Sequence, residues 1–154
     1  MMTPELETER LLLREIRPDD AEPVFQCWMR SEAVSKYMQW QASEDINAAK
    51  DFVSFELDNL EKDTWNRWLL LLKSTKEIIG TCLVFFNDEE GHWDVSYNLG
   101  QKFWGAGYAT EAMQAALQYA TEELHIKELA TVYAEENRAS GRVLQKLGFR
   151  FVKK

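Results

Sequence analysis

The apolar residues of this chain switch repeatedly between helical and strand period, and that alternation limits the folds open to it. Ala21, Val24, Phe25 and Trp28 recur at helical spacing, with Arg17-Pro18-Asp19-Asp20 as the helix start. Ile46, Ala49, Val53, Leu57 and Leu60 form a second helical stripe that starts near Ser43-Glu44-Asp45. The pattern then becomes that of strands. Residues 68–72 and 78–86 are continuous apolar runs on either side of a polar break, which predicts a β-hairpin. After a turn at 87–91, Trp93, Val95, Tyr97 and Leu99 alternate along a third strand. Helical spacing returns with Ala109, Ala112, Met113, Ala116, Leu117, Ala120 and Leu124, whose small members suit close packing on a sheet.

A short strand at 11–13 precedes all of this. Residues 129–134 read as a covered strand, and Val143, Leu144 and Leu147 mark a last helix stopped by Gly148. A final strand starts at Phe149. The order β-α-α-β-β-β-α-β-α-β predicts an α/β fold with a central mixed sheet, antiparallel and parallel in parts, flanked by helices. The unit 93–134 is expected to be a right-handed parallel crossover.

One domain is expected over residues 1–154, since domains hold roughly 100–200 residues. No apolar run reaches the ~18 residues of a membrane span. The acid-bearing start lacks a cleavage site, so a cytoplasmic protein without membrane contact is expected. Eighteen Lys and Arg against 26 Asp and Glu give a net charge of −8. That balance argues against a nucleic-acid partner and favours cationic ligands such as amines, or simply maintains solubility. Cys27 and Cys82 are far apart and are expected to be buried, reduced and inert. With only His92 and His125, no metal site is expected.

The segment from Gln101 to Ala112 carries the chemistry. A loop with Gly105 and Gly107 runs from a strand directly into a helix. Such a helix start offers free N–H groups and the positive end of a dipole, and glycine lets a pyrophosphate come close. On the glycines alone, a plain turn before a helix is the simpler reading. No Gly-Lys-Ser/Thr follows, and Thr110 stands where a dinucleotide fingerprint needs its third glycine.

This segment resembles the acyl-CoA-binding motif of the GCN5-related N-acetyltransferases (the GNAT superfamily), Gln/Arg-x-x-Gly-x-Gly/Ala. The motif falls on Trp104-Gly105-Ala106-Gly107-Tyr108-Ala109, with Trp104 in the Gln/Arg position. Three tracts are similar to the branch that includes ribosomal-protein N-terminal acetyltransferases. They are Trp104–Ala112, the opening TERLLLREIRPDDAEPV from Thr8 to Val24, and the tail Asn137-x-x-Ser140 with Leu144-Gln145-Lys146-Leu147-Gly148-Phe149. The resemblance implies direct transfer of acetyl from acetyl-CoA to a primary amine: a protein N-terminus, a polyamine or another small amine. It implies that Gly105, Gly107, Tyr108, Ala109 and Thr110 hold the CoA pyrophosphate. The edge of the 93–99 strand, with Tyr97 and Leu99, would meet the pantetheine arm.

Asp94 matches the acidic position that often opens this strand in the family, and is expected to be the base that frees the amine. A solvated strand Asp is the alternative. The thiolate needs a proton, and the family's usual Tyr position is Leu144 here. Ser140 therefore takes that role by resemblance to the branch that uses Ser. Asn137 would orient CoA or bridge the strand gap, unless Asn137 and Ser140 only cap the last helix. Tyr97 either bonds near the thioester or belongs to the core. Glu111 is explained by the helix dipole alone. Trp104 is expected as an apolar anchor under the loop, and Trp40, Trp65 and Trp68 as buried or lining an acceptor pocket. The family core usually carries one strand more than the sequence here, so the domain reads as C-terminally short. An open edge there suggests a homodimer. A non-catalytic acyl-CoA-binding regulatory module is the alternative to an enzyme.

Overall fold

The computed structural model describes residues 4–36, 40–131 and 137–149. Five antiparallel strands lie side by side in chain order: β1 (Leu6–Glu7), β2 (Leu11–Arg14), β3 (Trp65–Leu72), β4 (Ile78–Asn87) and β5 (His92–Leu99). Both predicted hairpin strands are present, and β3 begins three residues earlier than the apolar run indicated. The runs in β3 and β4 are continuous because both faces of the sheet are covered.

Register fixes which side chains share a face. Leu13 pairs with Leu70, Leu70 with Gly80 and Gly80 with Leu99. Leu11, Leu13, Trp68, Leu70, Cys82, Val84, Val95 and Leu99 form one face. They pack under α4 (Tyr108–Glu122), whose Ala112, Met113, Ala116 and Ala120 are buried. Trp68 donates from its indole to the Pro4 carbonyl at 2.8 Å and stands edge-on to Tyr119. It is therefore core and not an acceptor wall. Leu69 and Leu71 face the other way, onto Ile16, Val24, Phe25, Trp28, Ala49 and Val53.

The first predicted helix divides. Pro18–Asp20 is a 3-10 turn, α1 is Ala21–Val24, and Phe25–Met29 winds as a π turn. The cause of the 3-10 turn is Asp20. It accepts the Arg17 N–H at 2.7 Å and takes both ends of the Arg14 guanidinium at 2.9 Å, in a buried pair. A short α2 (Glu32–Ser35), capped by Ser31, was not legible as a separate helix. The second predicted helix is α3 (Asn47–Asp58). The last helix is α5 (Arg138–Lys146), and Gly148, at φ 93°, ends it as expected.

The parallel part of the predicted sheet appears as one bridge, Trp93 to Leu129. The described sheet is otherwise antiparallel. Residues 132–134 of the predicted strand lie outside the described residues. So does the final strand beyond Phe149, and with it the dimer edge expected there.

Candidate active site

The site is built around the outer edge of β5 and the loop that follows it. Gly105 and Gly107 have φ of 81° and 82°, the left-handed region where side chains are strained. Gly107 is the residue before α4, and no side chain caps this helix. The first intrahelical bond seen at this end is from the Glu111 N–H to the Gly107 carbonyl, at 3.0 Å. The N–H groups of Tyr108, Ala109 and Thr110 thus remain for a ligand, and the dipole's positive end lies behind them. This is the local chemistry of an anion site, and the residues present suit a pyrophosphate.

Trp104 differs from expectation. Its side chain is not tucked under the loop: the residue is 49% exposed. Its indole N–H instead donates to the Leu99 carbonyl at 3.0 Å and closes the loop against the strand. An indole N–H needs such a partner, and that requirement sets the ring's position. Leu99 is 8% exposed, with its side chain in the core and its carbonyl engaged by Trp104.

Along the outer edge of β5, the Trp93 carbonyl accepts the Ala130 N–H at 2.9 Å. The Thr131 hydroxyl reaches the Val95 carbonyl at 3.3 Å. By the antiparallel alternation, the main-chain groups of Tyr97 face this same edge. Among the described residues none bonds them there.

Tyr97 and Ser140 come together although 43 residues separate them. Their oxygens are 2.9 Å apart, and the Tyr97 hydroxyl also lies 3.3 Å from the Ser140 carbonyl. Burial pushes the Tyr97 phenol above its ordinary value, and the Ser140 bond draws it only partly back. The phenol is a proton-bearing group at neutral pH. Asn137 caps α5 by accepting the Ser140 N–H at 3.2 Å. The capping reading of Asn137 is thus observed, and through it Asn137 sets the position of Ser140.

Asp94 is not part of that group. It pairs in register with Phe85 and points to the opposite face of the sheet from Trp93, Val95 and Tyr97. Its Oδ1 accepts the Val95 N–H at 2.7 Å, and Asn87 stands 3.5 Å from Oδ2. Ser96 and Asn98 share its face by alternation, and the Asn98 amide nitrogen is buried with no partner among the described residues. Asn98 is a polar group that periodicity alone did not single out.

Thr8 and Arg10 lie in the opening tract that resembles the family, but nothing in the sequence pairs them with Glu111, which the helix dipole explains only in part. Glu111 accepts from the Thr8 hydroxyl, from the Arg10 N–H at 2.9 Å and from Arg10 Nε at 2.7 Å. Contacts across about a hundred residues leave no periodic trace. Burial raises the thiols of Cys27 and Cys82 to about 11 and about 12, so both stay protonated and poorly reactive. Among the described residues, no cluster of His, Cys, Asp and Glu could hold a metal, and no helix is long and apolar enough to cross a membrane.

Comparison with known proteins shows the family. The model of the acetyltransferase (GNAT) domain matches residues 10–150. The uncharacterized N-acetyltransferase p20 of Bacillus licheniformis is 34% identical over 145 residues, which is 94% of this chain and 81% of that protein. The [ribosomal protein uS5]-alanine N-acetyltransferase of Escherichia coli K12 is 38% identical over 77 residues, 48% of this chain and 39% of its own. The crystal structure of the microcin C7 self-immunity acetyltransferase MccE, in complex with acetyl-CoA and AMP, shares the fold at a TM-score of 0.80 and 19% identity, over 92% of this chain and 79% of that one. On the strength of the family match and the relatives, this chain belongs to the GNAT acetyltransferase family and is an N-acetyltransferase that uses acetyl-CoA.

Proposed function

We propose that the chain transfers acetyl from acetyl-CoA directly to the primary amine of a protein N-terminus or a small amine, at the edge of β5. The observation that carries this reading is the Tyr97–Ser140 pair, 2.9 Å apart and beside the stretch of the β5 edge at Tyr97 that no described residue bonds. In this reading the N–H groups of Gly105, Gly107, Tyr108, Ala109 and Thr110 cradle the pyrophosphate. The Tyr97 main chain pairs with the pantetheine arm.

The two carboxyl- and hydroxyl-bearing sides of the sheet then have separate tasks. Asp94, on the far face, takes the proton of the acceptor ammonium, directly or through water. The freed nitrogen bonds to the thioester carbonyl carbon, the carbon–sulfur bond breaks, and the nitrogen's second proton leaves to water, from which the Tyr97–Ser140 pair is later reprotonated. The sulfur leaves as thiolate and takes a proton from the Tyr97–Ser140 pair, whose phenol burial keeps protonated. The relative that acetylates an alanine of ribosomal protein uS5 makes a protein N-terminus the first acceptor to test. The net charge of −8 is compatible with any amine acceptor.

The test is thiol release from acetyl-CoA against a panel of N-terminal peptides, polyamines and small amines. Amine-dependent release that falls about 100-fold in Tyr97→Phe with Ser140→Ala supports the reading. Release unaffected by that double change removes the proposed acid. CoA binding with no release for any amine favours a binding module instead.

A further inference from the structure

The start of α4 carries an acid in the place where an anion is to bind. Glu111 lies in the first turn of that helix. A carboxylate there suits the helix dipole, yet unscreened it would oppose an incoming phosphate. The structure gives it three donors. Oε2 accepts from the Thr8 hydroxyl and from the Arg10 main-chain N–H at 2.9 Å, and Oε1 accepts from Arg10 Nε at 2.7 Å. Arg10 lies over the Tyr108 ring, with Cζ 4.3 Å from its centroid. Its guanidinium also borders the glycine loop: a Cβ added at Gly107 would stand 3.6 Å from Arg10 Nη2. A single cation thus spans Glu111, Tyr108 and Gly107, the three positions that frame the helix start.

We propose that Arg10 is a positioning residue for acetyl-CoA binding, which neutralises Glu111 so that the start of α4 can accept phosphate. This rests on the reading of the Gly105–Thr110 loop as the phosphate site. Thr8 and Tyr108 hold the pair in place, and together they tie the N-terminal hairpin of β1 and β2 to the cofactor loop. The pair is partly exposed, with the Arg10 side chain at 41%, so its effect on binding depends on salt.

The test is a double-mutant cycle read by calorimetric titration with CoA at low ionic strength. Arg10→Ala leaves Glu111 uncompensated and is expected to weaken CoA binding about tenfold. Arg10→Lys, which keeps the charge, should stay within about threefold of the unaltered protein. Glu111→Gln alone should bind at least as tightly. Arg10→Ala with Glu111→Gln should recover most of the loss, because no bare carboxylate remains. Raising the salt should narrow the gap between Arg10→Ala and the unaltered protein. A role in folding alone would give no recovery in the double variant.

Unchanged binding in Arg10→Ala overturns the proposal, and so does a double variant as weak as Arg10→Ala. Ala106→Glu is the control for the underlying reading, since it adds a carboxylate to the exposed loop. If Ala106→Glu leaves CoA binding intact, the loop is not the phosphate site. If it weakens binding while Arg10→Ala does not, only the role of Arg10 fails.

Discussion

The two faces of the sheet are built on the same strands and solve different problems. The core under α4 is aliphatic, aromatic and small-residue packing, from Leu11 and Trp68 to Met113 and Ala116. The face under α1 and α3 encloses two charged pairs, Arg14 with Asp20 and Arg67 with Glu56. Glu56 also accepts the Trp65 indole N–H at 2.9 Å. The difference separates two kinds of recognition. On the α4 side the groups read as cofactor ligands are largely main chain, held in position by a uniform core. On the other side Asp94, Ser96 and Asn98 offer side chains, and buried charges hold the surrounding helices in one arrangement.

That contrast can be broken most severely at a buried charge. Asp20→Ala strands the Arg14 guanidinium and is expected to cost about 3–5 kcal/mol in urea unfolding. On the opposite face Met113→Ala leaves a cavity and should cost ~2–5 kcal/mol. If Asp20→Ala were nearly neutral while Met113→Ala was severe, the charged face would not be the more fastidious one. At the site, Asp94→Asn should lower kcat about 100-fold if the far face supplies the base, with CoA affinity retained. Gly107→Ala forces a side chain into the left-handed region and should cost ~1–2 kcal/mol while weakening CoA binding.

The smallest effect concerns Glu111 and pH. Burial alone would raise its carboxyl, but the bonds from Thr8 and Arg10 outweigh that and hold it below its ordinary value. A depressed carboxyl contributes stability above the unfolded pKa, about 4.3 for Glu, and loses it as pH falls through the lower folded value. Glu111→Gln should therefore be less stable than the unaltered protein at neutral pH. The difference should shrink in acid over that window. A difference independent of pH would show that the carboxylate's charge is not what those donors stabilise.

How far the sequence reaches follows from the range of each signal. The helix of α4, the hairpins of β3 to β5 and the Gly148 stop all rest on neighbours within a few residues, and each was legible. Gly105 and Gly107 were legible for the same reason: a left-handed backbone is a local demand that glycine meets. The split of the first helix was not, because apolar spacing does not separate an α turn from the π turn at Phe25–Met29. The position of Trp104 was not legible, because hydrophobicity suggests burial whereas its N–H requires the Leu99 carbonyl. Tyr97 with Ser140, and Arg10 with Glu111, meet only through the fold. Family resemblance supplied Ser140; nothing in periodicity supplied its partner. Asp94 was legible as a strand acid on the side away from Tyr97, but that Ser140 joins the Tyr97 side, and so lies across the sheet from Asp94, emerged only with the fold.

In the proposed site, main-chain groups at one end of the sheet hold the cofactor. Amide hydrogen exchange, with and without saturating CoA, tests it most directly. Slowed exchange is expected at Tyr108, Ala109 and Thr110 and at Tyr97 on the outer edge of β5, with little change at Asp94, whose main chain already pairs with β4. Unchanged exchange at residues 108–110 under saturating CoA would contradict it.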